Sequence, residues 1–309
     1  ELKKEWEVVS STENTFPTGQ ATKRIDFVVT LKTPPTIVVK SNVIYNLDGV
    51  NVAITSDHYP LYCDFKKPTG LGEYPKAEGD LRIGNYFLTY CKGTDGVIDY
   101  DRTGRIIAKM NADIVCLQGL DKETERSEGI DQLNVLAQKA NMHDYFAKAI
   151  DYKGGEFGVG ILTKEEPVSV DRYQMAGKSE MRAAMVVEYE KFVVASTNFD
   201  TDMAKRIEAL QTLETKLSAY NKPAFLLGYF NEGDLESEFF QMVKSNWNLL
   251  SADKSTEVSG KKRRLDFIVS LKSHNVNVTQ ADVIESLSGV DVTVASTHYP
   301  LFCDFSGLK

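Results

Sequence analysis

Residues 263–272 read RRLDFIVSLK and residues 294–305 read VASTHYPLFCDF. The same two phrases stand earlier in the chain as KRIDFVVTLK (residues 23–32) and ITSDHYPLYCDF (residues 54–65). From Asp26 to Asp266 and from His58 to His298 the offset is the same 240 positions. Two stretches that keep register across an unbroken intervening segment mark an internal repeat rather than coincidence. The copies part at one decisive place: Asp57 precedes His58, whereas Thr297 precedes His298. A carboxylate beside a histidine can bind a metal and tune a proton carrier, and a threonine cannot replace its charge. One copy reads as catalytic and the other as retired.

Working outward, residues 1–65 form the first copy, strand-rich, with turn signals at Pro17-Thr18-Gly19 and Asn46-Leu47-Asp48-Gly49. KKPTGLGEYPKAEG follows, with Pro68, Gly70, Gly72, Pro75 and Gly79 among charges, and reads as a linker over residues 66–80. From Leu81 the texture alternates. LRIGNYFLTY is strand-like, Asp101–Asn111 reads as a helix with Ile106, Ile107 and Met110 inward, and ADIVCLQ is a buried strand. A second helix covers Ile130–Ala140, and GVGILT, AAMVVEY and FVVASTN are further strands. Met203, Ile207, Leu210, Leu213 and Leu217 form the apolar stripe of a long helix, and AFLLGYFN closes a strand into a loop. Strands with helices between them indicate layered sheets flanked by helices. Residues 81–309 therefore form one complete unit, preceded by the last part of a similar unit. A 65-residue tail of a two-sheet domain has little core of its own and leaves sheet edges open. Its missing N-terminal part is expected upstream in the same polypeptide or on another one.

The bulk properties narrow the partners. The chain has 309 residues, 42% hydrophobic and 26% charged, with a net charge of −8 that disfavours a nucleic-acid-wrapping surface. The basic run Lys261–Arg264 reads as a solvated turn before a strand. No apolar stretch of membrane-spanning length occurs, and no signal peptide opens the sequence. Cys63, Cys91, Cys116 and Cys303 lie in strand-like contexts without zinc spacing, which favours buried free thiols.

Taken in order, DGVIDYDRTGRIIAKMNADIVCLQ, YKGGEFGVGILTKEEP, LLGYFN and STHYP resemble the endonuclease/exonuclease/phosphatase superfamily, whose members include DNase I, apurinic endonucleases, sphingomyelinases and inositol polyphosphate 5-phosphatases. The resemblance covers residues 81–305. It implies an α+β fold, a four-layer α/β/β/α sandwich of two mostly antiparallel sheets. It also implies a phosphoric ester hydrolase with one or two Mg²⁺ or Mn²⁺ ions on oxygen ligands, and a histidine oriented by an aspartate.

Position by position, the complete unit departs from that pattern. Phe87 stands where the first strand carries Asn. LQE has become Leu117-Gln118-Gly119, and the TH pair is Thr197-Asn198. GDxN is Gly228-Tyr229-Phe230-Asn231, and SDH is Ser296-Thr297-His298. Three carboxylates are gone, at Gly119, Tyr229 and Thr297. Asn231, Asp266 and His298 survive as vestiges. One lost metal ligand costs roughly 10²-fold or more in rate, so this unit reads as a pseudoenzyme with a binding or scaffolding role and no cofactor of its own.

In the first copy the resemblance assigns Asp26 to orient His58, and Asp57 to a metal or a water. Those residues are catalytic only if a partner segment completes the site, in which case the chain is a Mg-dependent phosphodiester or phosphomonoester hydrolase. Phe87 and Tyr229 either fill the volume left by metal and water or form an apolar platform for a ligand. Arg126 and Arg182 would favour an anion there, such as a phosphorylated ligand. His143 and His274 fit no motif and read as surface residues.

Overall fold

Apolar residues at every second position place a strand's alternate side chains on one face. Leu81 and Ile83 point one way and Arg82, Gly84 and Tyr86 the other, and both faces are buried. That pattern needs layers on both sides. A computed structural model describes residues 6–31, 38–65 and 74–309 of the chain. The chain divides into two compact units, residues 1–69 and 70–309.

The first unit holds β1 (Trp6–Val8), β2 (Val29–Leu31), β3 (Val38–Val43), a one-turn helix α1 (Val52–Thr55) and β4 (Leu61–Phe65). β1 pairs with β2 and β3 with β4, each as an antiparallel two-stranded ladder. Its small core is built on Val43, Val52 and Tyr59.

The second unit begins with β5 (Leu81–Phe87), α2 (Tyr100–Met110), β6 (Ile114–Lys122) and α3 (Gln132–Ala140). β7 (His143–Tyr152), β8 (Gly155–Thr163), β9 (Ser169–Met175), β10 (Arg182–Glu188) and β11 (Val193–Asn198) follow, then α4 (Met203–Ser218) and β12 (Ala224–Tyr229). α5 (Glu238–Asn246), β13 (Trp247–Leu249), β14 (Asp266–Leu271), β15 (Asn277–Val283), α6 (Val292–Ala295) and β16 (Leu301–Ser306) complete it. Asp99, Asp131, Asp202 and Ser237 each cap the N-terminus of a helix by accepting a backbone N–H.

Two six-stranded sheets result, in the orders β13-β14-β12-β11-β10-β9 and β15-β16-β5-β6-β8-β7. Only β11–β12 and β5–β6 pair in parallel. Between the sheets lies a core with Ile83, Cys116 and Val159 from one and Met185, Phe225 and Ile268 from the other. α4 and α5 cover the outer face of the first sheet with Leu210, Leu213, Phe239 and Phe240. α2 and α3 cover the other with Ile106, Met110, Leu133 and Leu136. The architecture is the four-layer α+β sandwich that the sequence implied.

Several local expectations shift. Residues 74–80, within the stretch read as linker, belong to the second unit: the Tyr74 hydroxyl donates to the Val283 carbonyl and Lys76 pairs with Asp113 at 2.8 Å. Residues 66–73 of that stretch lie outside the described residues. The first strand of the unit stops at Phe87 instead of running through Tyr90. Thr89, Tyr90 and Cys91 take φ of 47°, 49° and 59°, a left-handed turn built without glycine. Each such residue costs about 1 kcal/mol or more. Cys91, Cys116 and Cys303 are buried free thiols, whereas Cys63 is half-exposed.

Candidate functional site

The parallel pairings bring the ends of β5, β6, β11 and β12 to one end of the sandwich. Phe87 is level with Gln118, Asn198 with Tyr229, and Tyr229 with Asp266. Period-two alternation carries Asn85 and Phe87, Ser196 and Asn198, and Leu227 and Tyr229 along the inter-sheet face toward that end. Phe87, Tyr229, Asp266 and His298, far apart in sequence, are thereby gathered into one cluster.

The Asp266 carboxylate accepts from His298 Nδ1 at 2.6 Å, and both side chains are buried. Thr256 fixes the strand on which Asp266 sits: its Oγ1 accepts the N–H of Leu265 at 3.0 Å and of Asp266 at 3.2 Å. Ser296 Oγ donates to the Phe87 carbonyl at 2.6 Å and accepts the His298 N–H at 3.3 Å. Burial opposes protonation of His298, but the Asp266 charge and hydrogen bond outweigh it and raise the imidazole pKa above its ordinary value.

Three rings close on one another here. Phe87 and Tyr229 lie 4.7 Å apart between centroids, Phe87 and His298 4.7 Å, and Tyr229 and His298 4.8 Å. Burial, and then the Asp266 charge, push the Tyr229 phenol pKa up, so it stays neutral at ordinary pH. Gly119 has φ +74°, and a Cβ built on it would stand 3.3 Å from Phe87 Cε2. Phe87 thus lies against the position from which the expected glutamate would project. Thr297 Oγ1 is spent on Thr89 Oγ1 at 3.0 Å. Asn231 Nδ2 donates to the Phe199 carbonyl at 2.7 Å and to Asn198 Oδ1 at 3.4 Å, so the retained Asn231 amide faces the substituted Asn198.

A divalent hard cation takes about six oxygen ligands. At the five altered positions this unit offers a phenyl ring, a bare backbone, an amide, a neutral phenol and a hydroxyl. Among the described residues no group of three His, Cys, Asp or Glu side chains is arranged to hold a metal ion. The donor set does not suit Mg²⁺ or Mn²⁺.

Arg126 and Arg182 are not free to draw an anion. Arg126 is forked onto buried Asp121 at 2.5 and 2.8 Å and lies 3.8 Å from the Tyr90 ring. Arg182 pairs with Glu180 at 2.9 Å and Asp200 at 3.1 Å. The sequence reading also missed a charge pair. Glu257 bridges to His298 through the backbone, and its carboxylate accepts from Arg263 Nε and Nη2 at 2.6 and 2.7 Å. Hydrogen bonds from Arg263 hold the Glu257 carboxyl down at about 2. The repeat gave no signal for it, because the residue that makes the corresponding backbone bond in the first unit, to the Lys23 carbonyl, is Phe16.

In the first unit His58 Nδ1 stands 2.7 Å from Asp26 Oδ2, with each side chain about one-third exposed. A hydrogen bond from Thr15, then one from His58, lowers the Asp26 pKa. The His58 N–H donates to Ser56 Oγ at 3.1 Å, as His298 does to Ser296. Asp57 is exposed, with Ser56 Oγ 3.5 Å from Oδ1. Asp26 and His58 are therefore paired, whereas Asp57 adjoins His58 in sequence only; among the described residues no three His, Cys, Asp or Glu side chains, this trio included, are arranged to hold a metal ion.

A structure from Beutenbergia cavernae described as endonuclease/exonuclease/phosphatase superposes with a TM-score of 0.63 at 18% identity, over 75% of this chain and 73% of that one. The fold is that of the endonuclease/exonuclease/phosphatase superfamily. A second structure, the endonuclease/exonuclease/phosphatase from Bacteroides vulgatus, gives a TM-score of 0.60 at 17% identity, covering 74% and 99%. The human Nocturnin catalytic domain with bound sulfate gives 0.56 at 19% identity, covering 78% and 99%. No protein-family model and no curated protein sequence matches the chain.

Proposed function

We propose that the second unit is a catalytically silent DNase I-like domain with a binding or scaffolding role, and that residues 1–65 are the C-terminal segment of a first such domain. The observation that carries this is the contact of Phe87, Tyr229 and His298, three rings within 4.8 Å of one another beside Gly119. Phosphoryl chemistry in this fold needs concentrated positive charge at phosphorus. Here that volume holds a phenyl ring and a phenol. The retained Asp266–His298 pair still gives the pocket one donor, and a sulfate bound by the Nocturnin domain makes a phosphorylated group the ligand class to try first.

A second reading has its own support. The Asp26–His58 pair is formed, partly exposed and flanked by Asp57. Supplied with the Asn, Glu and Asp-x-Asn pieces by a partner segment, it would make a Mg²⁺- or Mn²⁺-dependent phosphoric ester hydrolase. The test is hydrolysis of an aryl phosphodiester by the purified chain with Mg²⁺, Mn²⁺ or EDTA, beside Asp57→Ala. No turnover above background is expected. Metal-dependent turnover that Asp57→Ala abolishes would transfer the activity to the first unit.

A further inference from the structure

In the second unit the strands that correspond to the first unit are covered on both edges. β16 runs between β15 and β5, and β14 between β13 and β12. The first unit repeats only the outer halves of these pairings. Val38 faces Phe65 and Lys40 faces Asp64 across a bulge, as Val278 faces Phe305 and Gln280 faces Asp304 across another. Among the described residues nothing pairs with the remaining edge of β4 or of β2. The faces beside those edges are apolar and open: Phe27 is 50% exposed and Phe65 42%, whereas Phe267 and Phe305 are fully buried. Open edges of this kind invite strand addition.

One charge says what belongs there. Asp304 is buried and accepts both Nε and Nη2 of Arg82, each at 2.7 Å, and the guanidinium lies 3.9 Å from the centre of the Phe302 ring. The corresponding Asp64 is exposed. Lys40, opposite it on β3, holds its amine 5.8 Å from the Tyr62 ring centre, and no ion pair reaches Asp64 among the described residues. A carboxylate on a strand built for burial needs a forked cation delivered with the covering strand.

We propose that residues 6–65 dock by strand addition onto a polypeptide outside these 309 residues that carries the first part of a DNase I-like domain, with an arginine on the strand beside β4 facing Asp64 and Tyr62. The proposal rests on the tandem reading above. Residues 81–246 of this chain, or of a second copy, are not the occupant, because β14 and β16 already fill their edges.

The test keeps the full chain and places a duplicate of residues 70–246 ahead of Glu1 as the probe. Hydrogen exchange at Leu61–Phe65 is expected to slow about 100-fold relative to the 309-residue chain. Arg82→Asp in the duplicate alone should return at least about 10-fold of that, and Asp64→Arg should restore it. Unchanged exchange on fusion, or indifference to the charge reversal, overturns the proposal. A dimer of the unfused chain whose β4 amides are already protected overturns it too, in favour of a second copy. Turnover is not read in this experiment, so failure of docking leaves the silent-site reading intact, and turnover by the second unit would leave docking intact.

Discussion

Asp266 Oδ2 lies 2.6 Å from Nδ1 of His298, whose ring packs against Phe87 and Tyr229. The pair is buried, so its hydrogen bond contributes to the stability of the second unit. His298 has a raised folded-state pKa, so the pair's stability is complete below the unfolded value near 6.5 and is lost as pH rises through the folded value. Asp266→Asn should cost about 3 kcal/mol at pH 5.5 and less at pH 8.5. Denaturant unfolding at both pH values, with a proton NMR titration of the histidines, checks this. A cost independent of pH would refute it.

Gly119→Glu alone should not create a cation site. It should destabilise the second unit by about 1–2 kcal/mol, because φ is +74° and Phe87 stands 3.3 Å from the new Cβ. Adding Phe87→Asn, Tyr229→Asp and Thr297→Asp should give a Mn²⁺-dependent rise in melting temperature that the parent chain lacks. Calorimetric titration with Mn²⁺ reads the same outcome directly.

Arg263→Ala releases Glu257, whose carboxyl is held at about 2 by that guanidinium. A depressed folded-state pKa contributes stability that is present above the unfolded value and is lost as pH falls through the folded one. The loss in Arg263→Ala is expected to be small, since Arg263 is half-exposed, to be complete above the unfolded carboxyl value, and to fade as pH falls through about 2. Urea midpoints across that range decide it.

Asp304→Ala strands a buried guanidinium and should cost about 3–5 kcal/mol. Asp64→Ala, at the matching place in the first unit, should fall within about 0.5 kcal/mol of the parent. Equal costs would mean that Asp64 already has a buried partner.

Gly228→Ala should abolish folding of the second unit, because the added Cβ would sit 1.9 Å from the Thr197 carbonyl oxygen. Circular dichroism of the purified variant is sufficient to see it.

The layered fold was legible because short continuous apolar runs such as those at 114–117 and 224–227, bounded by turn signals, fit a strand buried on both faces. β7 and β9 carry polar residues on their open faces and gave a weaker signal. The left-handed turn at Thr89–Cys91 was invisible, since neither glycine nor asparagine marks it. At the site, the surviving and altered positions could be named from motif order, and the Asp266–His298 contact followed. What the rings do could not be read, because ring contact depends on the spacing of two sheets. The fates of Arg126 and Arg182 were hidden for a related reason: each is neutralised by an aspartate whose direction only the folded backbone sets.

The pairing of β16 with β5 joins Arg82 to Asp304, 222 residues later in the chain. The strands that close both sheets, β14 and β16, are thus made well after the strands whose edges they cover. At a synthesis rate of ~5–20 residues per second, roughly 60 closing residues take about 3–12 s to appear. Throughout that interval β5 and β12 each present a bare edge to solvent. Nascent molecules of this protein should therefore depend on a holding chaperone far more than finished ones do.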